Sequence, residues 1–278
     1  MSTSVMLLVL LGAALHAGWN ALVKSGGDKL LDTALVVLGS ATLAAIAIPF
    51  LPLPDPASWP FLIASGVIHL LYFWLVAAAY GSGEMSLAYP LMRGTAPLLV
   101  ALLSGSVLGE ALGLAGWAGV VLICGGVLAM AWKRGAKPDL PTIGFALANA
   151  LVIATYTLVD GTGARASGHA VSYTFWVFLL TALLFVGLVA WQRPAALAGH
   201  VRRRWRIGLG AGMATLGSYA LALWAMTQAP IAAVAALRES SILFGVALAA
   251  LLLGERPGPT RIAGALAITL GAACLRLV

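Results

Sequence analysis

Apolar residues fall along this chain in long stretches of similar length. Polar residues, glycines and prolines cut it into ten of them, near 4–24, 32–52, 59–80, 84–107, 114–132, 141–159, 171–191, 205–227, 231–253 and 260–277. A helix rises about 1.5 Å per residue, so about 20 mostly apolar residues cross the hydrocarbon core of a bilayer. Every stretch is close to that length. The longest gap, 192–204, is a basic connection carrying Arg193, His200, Arg202, Arg203 and Arg204, and no gap could hold a soluble domain. The pattern predicts an all-α integral membrane protein of ten transmembrane helices.

The stretches repeat. A shift of 145 residues lays Arg93 on Arg238, Ala88 on Ala233, Leu108-Gly109-Glu110 on Leu253-Gly254-Glu255, Gly119 on Gly264 and Gly126 on Gly271. A shift of 132 pairs Gly12 with Gly144 and Asp28 with Asp160. Single glycine matches mean little in a chain with 32 glycines, but a shared tripeptide and an intramembrane arginine at one offset are hard to obtain by chance. The halves, 1–137 and 138–278, hold five helices each. An odd number of crossings forces opposite insertion, and inverted repeats place a binding site near the bilayer midplane, between the halves. The expected architecture is two inverted five-helix repeats around a central cavity, with alternating access by rocking of one half against the other.

Composition agrees. Apolar residues make up 62% of the chain and charged residues only 9%, where soluble domains carry about a quarter. Most of the surface must therefore face lipid. The net charge of +7 is no nucleic-acid signature, because the basic residues sit in the gaps, at headgroup level. Lys24, Lys29, Lys133, Arg134, Lys137, Arg193, Arg202, Arg203, Arg204, Arg206, Arg256 and Arg261 share one side, against Arg165 and Arg276 on the other. Basic loops stay cytoplasmic, which puts both termini on the non-cytoplasmic side of an inner, or plasma, membrane. Val5–Ala17 resembles a signal-peptide core but lacks a basic leader, so it is expected to remain as the first helix. Cys124 and Cys274 lie inside apolar stretches and read as packing residues. No metal-ligating or phosphate-cradling motif is present, so neither metal nor cofactor is expected. The partners called for are a small solute and the bilayer, with a monomer as the working state.

Ionisable residues within a span are costly and point to function. Arg93, Arg238 and Glu239 stand out, Glu239 as the only acid deep in a predicted span. The arginines could clamp helices together or grip a solute carboxylate with two prongs. Adjacent helical residues do not face each other, so the partner of Glu239 is expected on another helix, Arg93 being one candidate, or on a solute ammonium. Glu239 could equally carry a proton. His16, Trp19 and Asn20 form a polar stripe on the first helix, and His69, Tyr72 and Tyr80, with Phe73, a matching one on the third. Such stripes should face the bundle interior, where histidines bond a neighbouring helix or line the cavity, and where aromatics suit an organic cation or an aromatic side chain. Tyr89, Asn149, Tyr156, Trp176, Tyr219 and Ser240 complete the candidate lining. Trp59, Trp117, Trp132, Trp191 and Trp205 fall near span ends and read as interfacial anchors. Pro90 and Pro97 bracket Arg93 and should kink the fourth helix, as a gate or a fixed bend. Glu110 and Glu255 follow the fourth and ninth helices, where they are expected to fix loops by capping or pairing.

Five plus five helices, the polar aromatic run Leu15-His16-Ala17-Gly18-Trp19-Asn20, the Ala88-Tyr89-Pro90-Leu91 run and the paired Leu-Gly-Glu tripeptides together resemble the EamA-type members of the drug/metabolite transporter superfamily. The likeness runs over essentially the whole chain and rests on the order and spacing of short motifs. Within the family, the YddG-type amino-acid exporters are the nearest likeness. The resemblance implies a basket of ten helices around a central cavity and export of metabolites such as amino acids. It also implies cytoplasmic termini, against the loop charges. The same scaffold would serve an uptake permease for a sugar, phosphonate or other small solute. An intramembrane hydrolase would need a serine–histidine pair, and no elbow sequence around a serine is present. A non-transport sensor would ordinarily carry soluble domains or long tails.

Overall fold

The structure is a computed structural model of the full chain, and residues 1–24, 28–82, 85–131, 140–253 and 258–278 are described. Among these the secondary structure is entirely helical. The first half holds α1 (Thr3–Lys24), α2 (Lys29–Ala47), α3 (Trp59–Ser82), α4 (Met85–Leu108) and α5 (Leu114–Ala131). The second holds α6 (Leu140–Ala166), α7 (Ala170–Gln192), α8 (Pro194–Met226), α9 (Ile231–Arg238), α10 (Ser241–Leu253) and α11 (Pro259–Leu275). Eight helical stretches are long and apolar enough to cross a membrane, while Leu114–Met130 and Pro259–Leu275 are shorter apolar helices. Lipid-facing positions stay bare: Leu7, Ile46, Ile63, Trp74, Leu102, Leu183 and Leu266 are all exposed.

Three boundaries depart from the pattern. The connection expected over 192–204 is helical from Pro194 onward, as the first turns of the 33-residue α8. Proline suits the first helical position, and the segment has a face to bury, since Leu197 and His200 pack inward while Arg202 and Arg203 stay exposed. The sixth helix runs to Ala166, which draws Asp160 and Arg165 into it. The ninth stretch is not one rod: α9 ends at Arg238 and α10 begins at Ser241. The fourth helix, by contrast, continues as α4 through both Pro90 and Pro97.

The halves interlock in mirrored pairs. α1 packs on α8 and α3 on α6, and these two contacts exchange under the repeat. α5 and α11, the last helices of the two halves, cross closely. A Cβ at Gly126 would lie 2.7 Å from the Gly264 carbonyl, and one at Gly119 would lie 2.9 Å from the Gly271 carbonyl. The glycine aligned with Gly119 thus touches the one that faces it from Gly126, the self-complementary geometry of a two-fold axis. Only glycine leaves room for such backbone contact. Gly126→Val should lower stability by roughly 1–3 kcal/mol through overpacking, read as a fall in unfolding temperature in detergent. An unchanged temperature would mean that the helices separate freely there.

At the face opposite the termini, α2 and α8 are joined by a buried polar group. Asp32 takes His200 Nε2 at 2.9 Å and Arg204 Nη1 at 2.6 Å, and Asp28 caps α2 through the amides of Leu30 and Leu31. Further along, Ser40 Oγ donates to the Gly212 carbonyl at 3.0 Å. Cys124 is buried and Cys274 half-buried, both as free thiols.

Candidate functional site

The break between α9 and α10 carries Glu239 and Ser240. The chain passes through it on tight i→i+3 bonds: Glu239 N to Ala236 O, Ser240 N to Leu237 O, Ile242 N to Glu239 O and Leu243 N to Ser240 O. Ser240 Oγ also bonds the Leu237 carbonyl at 2.7 Å. The break therefore presents side chains rather than a cup of bare amides. It falls at the position which the repeat aligns with the stretch of α4 just past Arg93, and the two half-buried arginines, Arg93 and Arg238, look onto the same cavity.

That cavity is nearly closed, with space for about one water molecule, and Arg93, Pro97, Tyr156, Thr157, Arg238 and Glu239 are in its wall. Arg93 Nε lies 2.9 Å from Glu239 Oε2, with the two side chains 12% and 6% exposed. Their atoms are at ion-pair distance, yet the N–H is not aimed along the contact, so neither atom completes a directed hydrogen bond. The pair is held by charge more than by geometry. Arg238 makes no ion pair among the described residues; its guanidinium lies 5.1 Å from the ring centre of Tyr219. One arginine is thus neutralised by an acid and the other rests on an aromatic face, available to an anion.

Aromatic and imidazole groups crowd the same region. His69 stacks on Tyr156 at 4.6 Å, and Tyr72 stands edge-on to both. His69 Nδ1 bonds the Ser65 carbonyl at 2.9 Å, which fixes the proton on that nitrogen. His16 is within electrostatic reach of Arg93 and Arg238, and Tyr89 of Arg93 and Glu239. On α1, Trp19 Nε1 donates to His16 Nδ1 at 3.3 Å and Asn20 Nδ2 to the His16 carbonyl at 2.8 Å, so the stripe is partly satisfied by its own helix.

Other candidates stand apart from the cavity. Asn149 is fully buried between α6 and α4, its amide against Met92 Sδ at 2.9 Å. Trp176 lies 5.3 Å from the outer Trp59. Pro90 is half-buried within α4, one turn from the cavity that Pro97 lines. The side chain of Tyr80, and Glu255, lie outside the described residues.

Two groups were read only in part, or not at all, in the sequence. Asp160 is fully buried in α6, accepting from Tyr173 at 3.1 Å and from Tyr219, so Glu239 is not the only deep acid. Its signal was the spacing Tyr156–Asp160, one helical turn, hidden because Asp160-Gly161 reads as the end of a span. The second is the knot at the termini face. Glu110 Oε2 caps α9 through the Ile231 amide at 2.9 Å, and Glu110 Oε1 meets Arg165 Nη1 at 2.6 Å. Arg165 also bonds the carbonyls of Met226 and Ala229. The loop-fixing role expected of Glu110 takes this form, tying the end of α4 to the start of α9.

The sequence pattern of the EamA-like transporter family matches residues 3–132 and again 140–277. No curated protein matches the chain. The fold is similar to a solved structure described as "Crystal structure of protein", with a TM-score of 0.75 and 19% identity over 100% of this chain and 98% of the other.

Proposed function

The chain belongs to the EamA-like transporter family and moves small solutes across a membrane; from that premise we propose that it exports zwitterionic metabolites, amino acids foremost, by alternating access. The supporting observation is the pairing of unlike arginines at one cavity: Arg93 neutralised by Glu239, and Arg238 without an acidic partner among the described residues. A solute carboxylate would take Arg238 in a bidentate grip. Its ammonium would face Glu239 and the rings of Tyr156 and Tyr72, and a side chain would rest on the apolar wall. The cavity is nearly closed in this state, so a solute is admitted only as the two halves move apart around it. The units 1–137 and 138–278 rock against each other as a monomer, with both termini outside the cell and the basic face inward. His16, Trp19, Asn20, His69 and Tyr89 belong to this lining as the cavity changes shape.

Purified protein in liposomes preloaded with unlabelled solute tests the reading by counterflow across a panel of amino acids and organic cations. Exchange of several amino acids is the expected result. If neither amino acids nor organic cations exchange, the reading fails and the sugar and phosphonate classes follow.

A further inference from the structure

The second buried acid lies between two openings. Tyr156, Asp160 and Ala164 follow one another at four-residue spacing, so they share one face of α6. Tyr156 lines the central cavity. Ala164, with Arg165, His169 and Ser172, lines a wider groove of about 500 Å³ at the termini face. Asp160 is midway, about 9 Å inside the end of α6 at 1.5 Å per residue.

Its surroundings set it apart from Glu239. The Glu239 charge is offset by Arg93. No lysine or arginine among the described residues pairs with Asp160, which is fully buried and held by hydroxyls. Tyr173 of α7 donates to one oxygen and Tyr219 of α8 to the other. Ser65 and His69 of α3 face it from the third side. Arg238 of α9 and Arg93 of α4 stand beyond Tyr219 and Tyr156. The backbone amide of Asp55, beside α6, donates to the Ser167 carbonyl, about two turns further on, and Arg165 is turned to Glu110. Hydroxyl donors do not balance a full charge removed from water, so the counter-charge has to come from His69 beside Asp160 or from a proton on the carboxylate itself.

We propose that Asp160 is the proton-binding site that couples this transporter to a pH gradient. The proposal rests on the transport reading above. The carboxylate takes one proton from hydronium in the termini-face groove, leaving water, and becomes a neutral acid. A protonated oxygen donates, so the tyrosine bonded to it must turn from donor to acceptor. If that tyrosine is Tyr219, its hydroxyl turns over on the ring that Arg238 rests on, and the anion-accepting group of the cavity feels the proton through that ring. Asp160 and Arg238 are then joined by one side chain.

The test uses the full-length protein in liposomes. A pH gradient should drive accumulation in wild type, up to about tenfold per pH unit at one proton per solute. Asp160→Asn should retain counterflow and lose all gradient-driven accumulation. Accumulation by Asp160→Asn equal to wild type, or wild-type transport indifferent to the gradient, would overturn the proposal. Infrared difference spectra of purified protein between acidic and alkaline buffer supply a readout independent of solute. Wild type should show a protonated-carboxyl stretch that Asp160→Asn lacks, and identical spectra would overturn the assignment even if no amino acid were carried. Should Asp160→Asn not fold, Tyr219→Phe takes its place. It should shift the pH at which the band appears, and an unshifted band counts against the site.

Discussion

Replacing Arg93 with alanine should destabilise the protein by about 3–5 kcal/mol, the cost of leaving one member of a buried pair without the other. Glu239 is 6% exposed and has no second ion-pair partner among the described residues. Left alone it can relieve the loss by taking up a proton. The variant should therefore be least stable in alkaline buffer, where Glu239 has to stay charged, and should recover as the pH falls. Thermal unfolding in detergent at two pH values checks both the size and the sign. Arg93→Met combined with Glu239→Leu removes both charges and should restore most of the stability, since an apolar pair of similar volume substitutes well for a buried ion pair. A double variant no better than Arg93→Ala alone would show that the two side chains act through other contacts.

Arg238→Ala should have the opposite profile, with a large loss of transport and little loss of fold. Its guanidinium touches an aromatic face rather than an acid, so its removal strands no buried anion. A hydrogen bond to a charged group contributes about 1.5–3 kcal/mol, which corresponds to about ten- to a hundredfold in affinity. Carboxylate solutes should weaken by that factor in counterflow, while organic cations weaken little. Arg238→Lys should not restore the carboxylates fully, because an ammonium cannot reproduce the two-pronged grip. Equal losses for anions and cations would make Arg238 a helix clamp.

The transmembrane pattern was legible because lipid leaves little choice: apolar length fixes the spans, and the Leu-Gly-Glu and arginine matches mark the repeat. Arg93 and Arg238, aligned by the repeat, line one cavity in the fold. Helix ends were less legible. Composition cut the sixth helix at 159 and the eighth at 205, because Asp160-Gly161 and a run of arginines look like loops. In the fold, hydroxyl donors and the Asp32 carboxylate satisfy those polar groups, and the helices continue. The break in the ninth helix escaped notice for the converse reason. Arg-Glu-Ser-Ser contains neither glycine nor proline, whereas α4, with two prolines, runs on unbroken. Charge singled out Arg93, Arg238 and Glu239, which the fold brings to one cavity, but partners such as Asn149 with Met92 depend on packing that no spacing reveals.

The interrupted ninth helix has a mechanical consequence. A rod of uniform i→i+4 bonding passes torque from end to end; one that narrows to i→i+3 bonds in its middle is softer there. Here the two pieces are held unequally. Every residue of α9 from Ile231 to Leu237 is buried, and Glu110 grips its first amide. Past Ser241, α10 is only half-buried over Ile242–Val246. The short piece is anchored and the longer piece is packed mainly on α1, with Glu239 and Ser240 between them. A bend at Glu239 and Ser240 would carry the Arg93–Glu239 contact with it while leaving the anchored piece in place, so the charge pair stands at the point where this helix yields first.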